Sequence, residues 1–200
     1  MTPTAQAPPF GGMAAFATFT VDQYDEMVRT GILDKDDRVE LLEGYVVLKM
    51  PADEPHENTV AALTEVMTLL RLPGWFVSSQ IGINSSTSRP EPDVYLARGD
   101  RKTYTACRPG PADLGLVVEV ADSSLASDRI HKARIYARDR IPVYWIVNLP
   151  DRRVEVYTDP TGSGDEPRYA TVRHFSAGTA VPVELDGQAV GTIPVDEILP

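Results

Sequence analysis

The segment Leu114–Val120, LGLVVEV, is apolar on both faces except for one carboxylate, Glu119. A strand of that composition belongs in the middle of a sheet, covered on both sides. A second apolar stretch, VYWIVNL, follows Pro142. Between the two lies a helix that Ser127 or Asp128 can cap and that runs to about Asp139. Arg153–Tyr157 reads as the hairpin partner of the second strand, turning across Pro150-Asp151. These elements alone point to an α/β core.

The flanking text completes the architecture. Thr20 and Gln23 have the spacing of a capping box, so a short helix begins there and stops near Gly31. Residues 39–50, VELLEGYVVLKM, hold two aliphatic runs around Glu43-Gly44, the pattern of a hairpin. Pro55 suits the first turn of a helix. Val60, Leu63, Met67 and Leu70 then recur at helical spacing until Pro73-Gly74. Strands are expected at Trp75–Asn84 and Asp93–Ala97, and two more at Tyr169–Phe175 and Ala180–Leu185, with a short helix near Asp196. The expected fold is a mixed β-sheet flanked by helices, with an N-terminal helix and hairpin and a β-rich tail. At 200 residues the chain has room for one domain with additions. Residues 1–17, rich in Pro, Gly and Ala, read as a disordered arm. Residues 18–160 form the domain, and 161–200 extend it.

Charge and composition narrow the function. The net charge of −10 argues against a general nucleic-acid coat. Eleven acids against four bases crowd Asp22 to Glu57, whereas Arg129 to Arg140 carries five bases against Asp139 alone. No apolar run reaches the roughly 18 residues of a membrane helix, and no secretory signal is evident. A single cysteine, Cys107, excludes an internal disulfide framework. The chain is expected to be cytoplasmic, with no membrane partner.

Three residues break the local pattern. Glu119 shares its strand face with Val117 and Ala121, and a buried carboxylate is costly unless paired, protonated or metal-bound. A strand with one face open to water is the plainer account. Asp93 closes Pro90-Glu91-Pro92-Asp93 just before Val94-Tyr95-Leu96; a Pro-Asp pair at a strand start is more often a turn than a catalytic group, and Glu91 reads as a solvated loop acid. Lys132 stands four residues before Tyr136 on the basic helix and four after Asp128, which by itself suggests a surface ion pair. Taken together, two carboxylates on neighbouring strands can share a hard divalent cation, and a nearby ammonium can stabilise a phosphodiester transition state. Tyr144 and Trp145 read as core. His131, His174 and Cys107 lack partners at useful spacing, and no phosphate-binding glycine loop is present.

At these residues the sequence resembles the Uma-type restriction endonucleases, a branch of the PD-(D/E)XK nuclease superfamily. The resemblance is carried by VELLEGYVV (39–47), His56, PEPDVYL (90–96), LVVEVADSS (116–124) and the stretch from Asp128 through Lys132 and Tyr136 to Tyr144-Trp145-Ile146-Val147. It implies a restriction-endonuclease-like fold and hydrolysis of DNA dependent on Mg²⁺ or Mn²⁺. Asp93 and Glu119 would be the metal-binding acids, with the Val120 carbonyl a further ligand. The superfamily lysine normally lies two residues after the second acid, where this chain has Ala121; its role would fall to Lys132. Glu40 corresponds to the acid of the first hairpin, and His56 to a recurrent histidine. His56 and Tyr136 are auxiliary candidates, and Arg129, Arg134 and Arg138 are candidates for phosphate contacts. A double-strand cut would need two active sites, hence a homodimer. Two other readings stand beside this one: a catalytically silent module that binds nucleic acid or protein, and a hydrolase that uses two carboxylates without a cation.

Overall fold

The computed structural model describes residues 17–34, 36–164 and 166–200. The arm expected over residues 1–17 therefore lies, apart from Ala17, outside the described residues. Helix α1 spans Val21–Arg29 and opens with a reciprocal capping box between Thr20 and Gln23. Strands β1 (Val39–Leu42) and β2 (Tyr45–Leu48) form an antiparallel hairpin. Its two turn residues, Glu43 and Gly44, both take positive φ, at 49° and 87°, the geometry whose twist matches a tight hairpin. Helix α2 (Glu54–Leu69) starts at Asp53, whose carboxylate accepts the His56 N–H at 3.1 Å, with Pro55 in its first turn.

The centre is a six-stranded sheet in the order β3 (Trp75–Ser79), β4 (Val94–Arg98), β5 (Leu114–Ala121), β6 (Val143–Asn148), β7 (Arg153–Pro160), β8 (Tyr169–Ser176). Only β5 and β6 run parallel, and the chain between them is helical. Every residue of β5 and β6 is buried. Alternation along β5 divides the core in two. Leu116, Val118 and Val120 pack with Val60, Leu63 and Met67 of α2. Val117 and Ala121 pack on the other side with Ala133, Tyr136 and Ala137. A second hairpin, β9 (Ala180–Leu185) and β10 (Gln188–Pro194), contributes Val181, Val183 and Ile193 to the α2 side.

Four local expectations are corrected. The strand begun at Trp75 ends at Ser79, because Gln80 takes φ 53° and turns its N–H to the carbonyls of Pro92 and Asp93. The basic helix starts earlier than Ser127, as α3 (Leu125–Ser127), then a π turn (Asp128–Lys132), then α4 (Ala133–Arg138). Strand β10 was not anticipated, although Asp186-Gly187 is a strong hairpin signal and both residues take positive φ. The terminal helix is a single 3₁₀ turn, Val195–Glu197. No described helix is long and apolar enough to cross a membrane.

Candidate active site

A cleft of about 480 Å³ lies between the β1–β2 hairpin, the start of α2, the ends of β4 and β5, and the π turn. Asp93, Glu119, Val120, Lys132, Glu40 and His56 all line it. Each arrives for a separate structural reason. Asp93 immediately precedes β4, whose Val94 pairs with Val118 of β5, so Asp93 and Glu119 stand on adjacent strands. The Val120 N–H donates to Asp93 Oδ2 at 2.8 Å, and His56 Nε2 lies 3.2 Å from the same oxygen. Asp93 is thereby held from β5 on one side and from the first turn of α2 on the other.

Lys132 is buried, not a surface partner of Asp128. Its ammonium is 2.7 Å from Glu40 Oε2 and 3.2 Å from Glu119 Oε1, and all three side chains are less than a tenth exposed. Tyr136, one helical turn on, donates its hydroxyl to Glu119 Oε1 at 2.6 Å. Glu40 Oε2 also accepts the Glu91 N–H at 3.1 Å. Glu91 is no free loop acid, since Lys49 lies 2.8 Å from it.

Burial pushes the Glu119 carboxyl up to about 8. Lys132 opposes that rise, while Asp93, Asp128 and Glu40 add to it. Burial would depress Lys132, but Glu119 and Glu40 outweigh it and hold the ammonium protonated. Asp128 is likewise raised by burial, to about 6, against a 2.6 Å bond from the Ser124 hydroxyl. His56 is raised chiefly by its bond to Asp93. Four carboxyl groups thus crowd one buried ammonium and one histidine, and the cluster carries an excess of negative charge.

That excess, and the all-oxygen donor set, suit a hard divalent cation. The hydrogen bonds to Asp93 use only Oδ2 and those to Glu119 only Oε1, leaving the other oxygen of each without a donor among the described residues. Those residues contain no ready-made group of three His, Cys, Asp or Glu side chains around one point. The arrangement fits an ion held by two carboxylates with water completing its shell, as Mg²⁺ commonly is. Val120 contributes its N–H to Asp93, and its residue lines the cleft.

Residues 21–192 match the sequence profile of the Uma2 family, described as "Putative restriction endonuclease". The chain belongs to that family. No curated protein matches it. Among solved structures it is similar to a protein from Anabaena variabilis described as "a putative nuclease belonging to DUF820". The two share 12% sequence identity and a TM-score of 0.64 over 90% of this chain and 97% of the other, a likeness of fold.

Within this Uma2 member, the three arginines of the basic helix do not form a free strip. Arg134 and Arg138 both bind Glu43 at the hairpin turn. Arg129 points away and pairs with Glu155 of β7. Asp128 is the cluster member that sequence reasoning read only as a helix cap or a surface partner of Lys132. Its signal was the Ser124/Asp128 spacing of four, which places both on one face. Tyr144 and Trp145 are fully buried in the core.

Proposed function

We propose that the protein is a metal-dependent endonuclease that hydrolyses phosphodiester bonds of DNA, with its active site in this cleft. Family membership supports a nuclease. The observation that carries the site assignment is the convergence of Lys132 on Glu119 at 3.2 Å, beside an Asp93 tethered to the next residue of the same strand, Val120.

Asp93 and Glu119 would hold Mg²⁺ or Mn²⁺, which supplies charge neutralisation at the phosphate and lowers the pKa of water. The chain's own groups have defined tasks. Val120 N–H and His56 fix the Asp93 carboxylate through Oδ2, so that Oδ1 is the oxygen available to the ion. The Tyr136 hydroxyl does the same for Glu119. Lys132 keeps its proton and presents a fixed positive charge to the phosphate as negative charge develops on it. Glu40 holds that ammonium in place from the opposite wall. Burial of the cluster strengthens each of these interactions over its worth in water.

The test is nicking of supercoiled plasmid and cleavage of a single-stranded circle in Mg²⁺, Mn²⁺ or EDTA. Asp93→Ala and Glu119→Gln, purified identically, are run beside wild type. Cleavage that needs the metal and falls at least about 100-fold in both variants supports the assignment. Metal-independent cleavage would favour two-carboxylate hydrolysis instead. Absence of cleavage, with nucleic acid still bound, would make the protein a silent binding module.

A further inference from the structure

The hairpin wall of the cleft has a composition that the hydrolytic residues do not explain. In the β1–β2 register Glu40 pairs with Val47 and Leu42 with Tyr45, so these four side chains share one face of the hairpin. All four line the cleft. The same face that supplies Glu40 to Lys132 therefore carries an aromatic ring at its tip. Tyr45 is 46% exposed, and Leu48 and Met50 farther along the wall are 38% and 56% exposed. An apolar, aromatic wall next to a buried acid cluster is unsuited to phosphate but suited to the face of a base.

Two further observations bear on the form of the substrate. The first is depth. Lys132 and Glu119 are only 6% and 7% exposed at the bottom of the cleft, whose volume of about 480 Å³ is on the scale of a small-molecule pocket. A space of that volume is on the scale of one nucleotide with its neighbouring phosphate. The second is charge. A duplex is gripped through many phosphates by a broad set of free cations. Here Lys49 meets Glu91, Lys132 meets Glu40, and Arg134 meets Glu43. Among the lysines and arginines lining the cleft only Arg38, which donates to the Met50 carbonyl, has no carboxylate partner among the described residues, so the cleft does not present a broad set of free cations.

We infer that the substrate is an unpaired DNA strand, a single strand or flap, with a base stacked on Tyr45 beside the phosphate that is cut. This rests on the endonuclease reading of the same cleft and adds to it the form of the nucleic acid. Stacking on one ring is tolerant of base identity, so cleavage depends on strandedness more than on sequence.

The experiment uses one labelled oligonucleotide as a single strand, as a blunt duplex and as a duplex with a single-stranded flap. Binding is read by fluorescence anisotropy in EDTA, and cleavage on denaturing gels in Mn²⁺, for wild type, Tyr45→Ala and Tyr45→Phe. Wild type is expected to bind and cut the single strand and the flap at least about tenfold better than the blunt duplex. Tyr45→Ala should weaken single-strand binding by about 5- to 150-fold, the range for loss of one base–aromatic stack. Tyr45→Phe should keep it, and blunt-duplex binding should not move. Equal or better binding and cutting of blunt duplex would overturn the inference while leaving the endonuclease reading intact. So would a Tyr45→Ala variant that binds single strands like wild type, or a protein that binds none of the three. Selective, Tyr45-dependent binding of single strands with no cleavage would uphold the stacking of an unpaired strand on Tyr45 and sink the hydrolytic reading.

Discussion

The Lys132 ammonium lies 2.7 Å from Glu40 Oε2, across 92 residues of sequence. The contact joins the π turn after β5 to the first hairpin, and so closes one wall of the cleft against the other. Lys132 also meets Glu119, which makes it the only ammonium shared by two buried carboxylates among the described ion pairs.

Replacing Lys132 with Met should therefore act on stability as well as on activity. Glu40 loses its counter-charge in a buried site, and breaking such a pair from one side costs about 3 kcal/mol. Urea denaturation at pH 7 checks this. A loss below about 1 kcal/mol would mean that water reaches Glu40 and takes the place of the ammonium.

Glu119→Gln should do the reverse. Its folded carboxyl, pushed up by burial to about 8, lies above the unfolded value of about 4.3. The native state then binds more protons than the unfolded chain over that interval, so stability falls as pH rises from about 4.3 to about 8. Glutamine can still accept from Tyr136 and carries no charge. In EDTA the variant should match wild type near pH 4 and exceed it increasingly up to pH 8, while losing cleavage. Parallel stability curves for the two proteins would refute this account.

Glu155 gives the opposite pH dependence. Burial would raise it, but hydrogen bonds from Arg129, Asn148 and Tyr157 outweigh burial and hold it down at about 2. Its contribution is present above the unfolded value of about 4.3 and is lost as pH falls through about 2. Glu155→Gln should cost about 2 kcal/mol at pH 7, as expected for charged hydrogen bonds. Thermal melts from pH 7 down to 2 should show the gap to wild type closing at the acid end.

Gly115 is a packing constraint of a different kind. A Cβ added there would meet Leu185 Cδ2 and the Trp75 ring at 2.6 Å. Leu185 can rotate away, but Trp75 is covered by the Arg98 guanidinium, 4.4 Å from its ring centroid. Gly115→Ala should cost about 1–3 kcal/mol through overpacking. Calorimetry would detect this as a lower melting temperature; an unchanged one would show that β3 and the β9–β10 hairpin can shift to accommodate the methyl.

Much of the architecture was legible because it is written in local terms. The capping box at Thr20, the hairpin at Glu43-Gly44, Pro55 at a helix start and the two-sided apolarity of Leu114–Val120 each depend on a few neighbouring residues. Glu119 stood out for the same reason, as a carboxylate in an apolar run. The early stop at Ser79 was not legible, because it follows from bonds between Gln80 and the distant carbonyls of Pro92 and Asp93. Nor was the π turn, which no composition signal marks.

What the sequence determined by itself was the order of elements as far as β9, the strand with no polar face to spare, and the family resemblance through which Asp93, Glu119, Lys132 and Glu40 could be grouped. Only the tertiary structure decided how those groups are paired. Helical spacing offered Asp128 to Lys132 as a partner, yet the chain takes the ammonium inward to Glu40 and Glu119, and the helical arginines to Glu43 and Glu155. The reason is physical: an ion pair depends on distance and desolvation, and both are set by which surfaces the sheet brings together, not by separation along the chain.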